Sequence, residues 1–169
     1  MSVVAARKYE DRISFAADSI SIAGSTRITQ RIETSAKLFQ TNGITLGGAG
    51  SARELSLISL YVRNHSPVND DLESMIDFVW RFEKWVQERD VEFKAENHYL
   101  LAFQSGLFRT YGGLEIFQVN EFDAVGAGQD FAITALHLEK TPHEAVDIAS
   151  QLSVWCHPPV IEMEHVFQS

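Results

Sequence analysis

The amino-acid sequence predicts an α+β fold, arranged as a four-layer α-β-β-α sandwich. Three observations carry this. Short β-branched and alternating stretches open the chain, apolar residues at three- and four-residue spacing follow, and the same order then repeats before a last apolar run. The runs of strands and helices are segregated, which separates α+β from alternating α/β. Every run also has an apolar face to bury. Two antiparallel sheets packed together, each covered by a helix pair, bury all of those faces.

Ser2 to Arg7 is small and β-branched, and Arg12 to Asp18 alternates polar with apolar. Lys8-Tyr9-Glu10-Asp11 between them has the length and polarity of a hairpin connection. Ser19 to Ile32 is rich in Ser, Thr and Ile and suits further sheet, with Gly24 as punctuation. Lys37 to Gln40 and Ile44 to Gly47 flank Thr41-Asn42-Gly43, and Asn-Gly is a strong hairpin signal.

The period then changes. Leu55, Ile58, Leu60 and Val62 fall on or near one stripe of a helix over 52–62, with Ser51 placed to cap it. A second helix, from about Asp70 to Glu88, carries Leu72, Met75, Ile76, Val79, Phe82 and Val86 at helical spacing, with Asp70, Asp71 and Glu73 in its first turn. Pro67 separates the two. Tyr99 to Phe103, Leu107 to Tyr111 and Leu114 to Val119 return to short, aromatic-rich strands divided by glycine turns. Gln129 to Leu138 and His143 to Val154 are helical in spacing, and Val160 to Glu164 is a last strand. No internal repeat, low-complexity tract or linker interrupts residues 1–169, which predicts one domain.

Composition excludes several function classes. With 45% hydrophobic residues the chain has core enough to fold, so disorder is excluded. One cysteine, Cys156, excludes a disulfide framework and a cysteine-based zinc site. A formal net charge of −9 argues against binding nucleic acid through phosphates. No basic segment precedes an apolar N-terminal stretch and no apolar run is long enough to span a bilayer, so neither signal peptide nor membrane span is expected. The histidines His65, His98, His137, His143, His157 and His165 lack metal-ligand spacing on any one helix, and Gly47 to Gly50 lacks the Lys-Ser/Thr of a P-loop. No metal or cofactor is expected. Cys156 reads as a small core residue, and Trp80, Phe82 and Trp85 as core or subunit contacts.

Five segments point further. Ser2-Val3-Val4-Ala5-Ala6, Ala16-Ala17-Asp18-Ser19, Lys37-Leu38, Gly47-Gly48-Ala49-Gly50 and Val125-Gly126-Ala127-Gly128 occur in the order and context of one family. Together with Glu144 to Ala149 they resemble the proteasome β-subunit and HslV peptidases, especially the short HslV-like proteins often encoded by phages.

That resemblance implies an N-terminal-nucleophile hydrolase. Ser2 takes the place of the N-terminal threonine, with Met1 as the residue to be removed. A free α-amine titrates at about 7.7–8.0, so it serves as base for the hydroxyl of its own residue. Asp18 matches the aspartate that holds a lysine, and Lys37 matches that lysine, whose charge tunes the amine. Gly48, with Gly47 close by, matches the glycine whose amide stabilises the oxyanion. The same glycines also permit a tight turn into the helix. Also implied are a homo-oligomeric ring, a polypeptide substrate, an ATPase unfoldase as partner and a cytoplasmic location, the host's for a phage protein.

Two positions depart from the family pattern. Ala127 stands where serine is usual, and Leu152-Ser153-Val154 where an aspartate is usual. Both missing groups orient the nucleophile's amine. A second reading therefore stands beside the peptidase: a catalytically degenerate relative serving as an oligomeric assembly or interaction scaffold. An amidase acting on small amides is a third.

Overall fold

The computed structural model describes residues 2–19, 21–23, 26–28 and 37–167. Strands β1 (Val3–Lys8) and β2 (Arg12–Asp18) form an antiparallel hairpin, with Val4 opposite Ala17. The Tyr9 amide donates to the Arg12 carbonyl at 2.7 Å to close it. The following segment forms a two-stranded ribbon of β3 (Ser21–Ala23) and β4 (Thr26–Ile28). Ile20, Gly24, Ser25 and residues 29–36, in and just beyond the Ser/Thr/Ile-rich stretch, lie outside the described residues.

β5 (Leu38–Thr41) and β6 (Ile44–Ala49) are joined through Asn42 (φ 51°) and Gly43 (φ 72°). Two successive positive φ values make the tight turn that Asn-Gly favours. Helices α1 (Ala52–Val62) and α2 (Leu72–Gln87) follow. Then come β7 (His98–Phe103), β8 (Gly106–Tyr111), β9 (Ile116–Val119) and β10 (Phe122–Gly126). Helices α3 (Gln129–His137) and α4 (Pro142–Leu152) precede β11 (Val160–Val166).

One sheet has the order β10-β1-β2-β11 and the other β5-β6-β7-β8-β9. Helices α1 and α2 cover the second sheet, α3 and α4 the first, so the architecture is the expected four-layer sandwich. Alternation along β1 divides the core. Val4 and Ala6 pack between the sheets with Phe15, Leu100, Leu107 and Val125. Val3 and Ala5 face α3 and α4 with Ala132, Ala135, Ala145 and Ala149, a layer of small residues that brings helices close to strands. The layer under α1 and α2 is aromatic instead, built on Tyr61, Phe78, Phe82, Tyr99 and Phe108. Central strands covered on both faces explain why β1 is small and apolar and why β2, read as alternating polar with apolar, is buried from Ile13 to Asp18 on both faces.

Several element boundaries differ from the sequence reading. β10 is a strand that the sequence does not signal, because Asp123 interrupts its short apolar run and Gly126 ends it. α2 starts at Leu72, where the Asp71 carboxylate accepts from the Ser74 amide at 2.7 Å. α4 starts at Pro142 under a reciprocal Thr141–Glu144 cap and ends at Leu152. Ser51 occupies the cap position of α1 but makes no side-chain cap bond. Leu60, expected on the buried stripe, is 49% exposed, and Tyr61 takes its place in the core at 2%. Among the described residues, no helix is long and apolar enough to cross a membrane.

The two registers gather certain ends together. Val3 pairs with Gly126 and Val4 with Ala17 in one sheet. In the other, Leu38 pairs with Gly47 and Ala49 with His98. The beginnings of β1, β5 and β7 and the ends of β2, β6 and β10 thus border one end of the sandwich.

Candidate active site

Asp18, the last residue of β2, is fully buried and organises that end. Its Oδ1 accepts from the Val3 amide at 2.9 Å and from Lys37 Nζ at 2.6 Å. Its Oδ2 accepts from the His157 amide at 3.2 Å. One carboxylate thereby ties together the start of β1, the approach to β5 and the loop between α4 and β11. The Ser19 amide donates to the His157 carbonyl at 3.2 Å, which doubles the last link.

Lys37 is almost as deeply buried as its partner, with a side chain 5% exposed. Burial lowers its ammonium below the ordinary lysine value, and the Asp18 charge and hydrogen bond oppose that shift. Ser2 adjoins the Val3 amide that shares Asp18 Oδ1 with Lys37, and is itself 5% exposed. By the alternation of β1 it falls on the side between the sheets.

The glycine-rich turn after β10 wraps the Ser2 backbone. The Gly128 amide donates to the Ser2 carbonyl at 3.2 Å. A Cβ on Gly126, whose φ is +100°, would lie 2.4 Å from the same carbonyl oxygen. Only glycine fits there, for space and for backbone conformation. The structure thus brings Ser2, Asp18 and Lys37 to one place.

Gly48 behaves differently from expectation. Its amide donates to the Lys37 carbonyl at 3.0 Å and lies within β6. A Cβ on it would lie 2.4 Å from Leu55 Cδ2 and 2.8 Å from the Tyr99 ring, on the helix side of the sheet. Its N–H is therefore committed to holding Lys37, and the oxyanion role expected of it does not fit this geometry. The end of β6 is better placed. A Cβ on Gly126 would come within 3.0 Å of Ala49 Cβ as well as meeting the Ser2 carbonyl, so Ala49 lies near Ser2, and Gly50 is the next residue in the chain. Gly50 is exposed, has φ +142° and lies just beyond the last β6–β7 pair.

Of the two departures, Ala127 is an exposed methyl beside this turn. Ser153 is buried at the end of α4, where its hydroxyl accepts from the Trp155 amide at 3.3 Å. Cys156, read as a core residue, does pack in the core, but also within electrostatic reach of Asp18 and Lys37. A Cβ on Gly128 would lie 2.6 Å from its Sγ. Burial, then the Asp18 charge, push its thiol above the usual range, which favours the protonated form. Nothing in the local sequence at Cys156-His157 signals this placement, because the contact is made by a loop more than a hundred residues beyond Lys37. Among the described residues, no group of three His, Cys, Asp or Glu side chains is placed to hold a metal ion.

The fold is that of proteasome β-subunit-like proteins. The structure of Thiobacillus denitrificans BPH in complex with epoxomicin matches 99% of this chain and 100% of its own, with a TM-score of 0.85 and 17% sequence identity. Anbu, an ancestral β-subunit from Yersinia bercovieri, matches 97% of this chain and 81% of its own at a TM-score of 0.70 and 17% identity. HslV from Trypanosoma brucei matches 96% and 98%, at 0.66 and 17% identity. No family model and no curated protein sequence matches the chain. At these identities the likeness is one of fold.

Proposed function

We propose that the chain is an N-terminal-nucleophile peptidase in which Ser2, after removal of Met1, is the nucleophile. The observation that carries this reading is the single Asp18 oxygen shared by Lys37 Nζ and the Val3 amide, directly beside Ser2. A buried ion pair is costly to desolvate and needs further hydrogen bonds to persist. Here those bonds come from the backbone next to the proposed nucleophile.

In this mechanism the neutral Ser2 α-amine accepts the hydroxyl proton as Oγ bonds to the peptide carbonyl carbon, whose π electrons move to oxygen. The Lys37 ammonium nearby lowers the amine's pKa, so more of it is neutral near pH 7. The Gly50 amide donates to the oxyanion in place of Gly48. The new ammonium on Ser2 passes its proton to the leaving nitrogen as the C–N bond breaks, leaving an ester on Oγ. Water, deprotonated by the same amine, hydrolyses that ester and restores the hydroxyl. Asp18 keeps Lys37 charged and placed.

In the same reading the chain forms a homo-oligomeric ring, with polypeptides delivered by an ATPase unfoldase in the cytoplasm. The exposed Leu60, Leu72, Ile76 and Trp80 of α1 and α2 offer apolar contact surface for such assembly.

Intact mass and reaction with a peptide epoxyketone test the proposal, because that group bonds to both the hydroxyl and the α-amine of an N-terminal nucleophile. Loss of Met1 and an adduct on Ser2, abolished in Ser2→Ala, are expected. Retained Met1 with no adduct overturns it. The scaffold reading then stands, since Ala127 supplies no hydroxyl and Ser153 no carboxylate.

A further inference from the structure

The corner between β6 and α1 is held from outside by one amide side chain. Asn97 Oδ1 accepts from the Ser51 amide at 2.6 Å, and Asn97 Nδ2 donates to the Ser51 carbonyl at 2.9 Å. The last backbone pair of the β6–β7 ladder is Ala49 with His98. Continued by one step, the register would place Asn97 opposite Gly50. The Asn97 side chain instead extends the ladder past Gly50, pairing with both backbone groups of Ser51.

Asn97 is itself anchored. Its amide donates to the Glu54 carboxylate, at 3.1 Å to Oε1 and 3.2 Å to Oε2. Glu54 also accepts from the Glu96 amide at 3.0 Å and the Tyr99 hydroxyl at 2.9 Å. Glu54 is 4% exposed, Asn97 5% and Tyr99 2%, so the network lies in the protein interior. Burial and the adjacent Glu54 charge push the Tyr99 phenol far above its ordinary range, which keeps it a hydrogen-bond donor. The fit is close: a Cβ on Gly50 would lie 2.1 Å from Asn97 Oδ1.

The consequence falls on Gly50. Its N–H belongs to the peptide joining it to Ala49, whose other side is fixed by the sheet. Its C-terminal peptide is fixed through Ser51 by Asn97. Glycine has the widest choice of backbone angles, so without the second anchor its amide direction is free to vary. A donor only slightly misdirected loses most of its value to a developing oxyanion.

We infer that Asn97, held in place by Glu54, is a positioning residue that aims the Gly50 amide at the oxyanion of the proposed hydrolysis. The inference rests on the peptidase reading above. It assigns to an asparagine outside every resembling motif a part in the chemical step and none in substrate binding.

The test is steady-state cleavage of a fluorogenic peptide amide by the full chain, with rates divided by the active-site concentration titrated by an epoxyketone. Asn97→Asp keeps the oxygen that faces the Ser51 amide and loses the donor to the Ser51 carbonyl. Asn97→Ala loses both. The expected result is a fall in kcat per titrated site of about 10-fold for the first and about 100-fold for the second, the latter at the lower end of the range for loss of an oxyanion donor. KM stays within about twofold, since only transition-state contacts change. Unchanged kcat per titrated site, with a lower melting temperature or fewer titratable sites, overturns the inference and leaves Asn97 a loop anchor. Wild-type protein that neither turns over nor takes the epoxyketone defeats the peptidase reading itself, and this inference with it.

Discussion

Lys37 Nζ lies 2.6 Å from Asp18 Oδ1, with both side chains removed from water. Breaking such a pair from one side leaves a buried charge without compensation, which costs about 3–5 kcal/mol. Asp18→Ala is therefore expected to destabilise the fold by that amount in urea unfolding, and to end epoxyketone labelling. Asp18→Asn combined with Lys37→Met removes both charges. It should recover a large part of the stability but none of the labelling. Equal stability for the single and double variants would show that the pair is solvated after all.

The glycines of β6 separate by role. Gly48→Ala drives a methyl into Leu55 and the Tyr99 ring, an overpacking that costs about 1–3 kcal/mol. Adding Leu55→Ala opens that space and should return part of the loss, while kcat per titrated site stays at the wild-type level throughout. If Gly48→Ala instead lowers kcat per site without loss of stability, the oxyanion donor is Gly48 and Gly50 is only a corner.

Activity should depend on pH through the Ser2 amine. The proposed base works when neutral, so kcat/KM rises with pH through a pKa below the ordinary α-amine value of about 7.7–8.0. Lys37 titrates below its ordinary value of 10.5, so its tuning charge is lost at correspondingly lower alkaline pH. Lys37→Met should move the rising limb to higher pH. A rising limb left in place would mean that Lys37 does not act on the amine.

Stability has its own pH dependence at the opposite end of the sandwich. His165 is 5% exposed, with Nδ1 2.9 Å from Thr45 Oγ1 and Nε2 2.9 Å from the Gln104 carbonyl. Gln40 Nε2 donates to the same Thr45 hydroxyl at 2.7 Å, so the chain of bonds runs Gln40 to Thr45 to His165 to Gln104 with a neutral ring protonated on Nε2. Burial lowers the His165 pKa below 6.5, against a smaller opposing effect of the Gln104 carbonyl. The unfolded chain therefore binds the proton first as pH falls. The contribution of His165 is complete above about 6.5 and declines below it, down to the folded-state value. Melting temperature should drop from pH 7 to pH 5, and His165→Asn should shrink that drop. His98, lowered by burial and by Arg109, adds to it in the same direction. An equal drop in the variant would place the sensitivity elsewhere.

What was legible in the sequence followed from local physics. Asn42-Gly43 names its own turn, and of the expected α2 stripe Met75, Val79, Phe82 and Val86 are buried, while Leu72 and Ile76 are exposed. What escaped depends on register and on distant loops. Gly48 and Gly50 lie two residues apart, and only the pairing of β6 shows that one amide is used by Lys37 while the other marks the strand's end. Asn97 and Cys156 belong to no spacing at all, because each reaches its partners from a loop far along the chain.

The Asp18 carboxylate joins the amide of residue 3, the ammonium of residue 37 and the amide of residue 157. The first two partners come from the opening part of the sequence and the third from the loop between α4 and β11, so the cluster beside Ser2 closes only when distant parts of the sequence have come together. β11, which follows that loop, pairs along the whole of β2 from Asp18 to Arg12, so the same fold-back that delivers the His157 amide also covers the edge of β2.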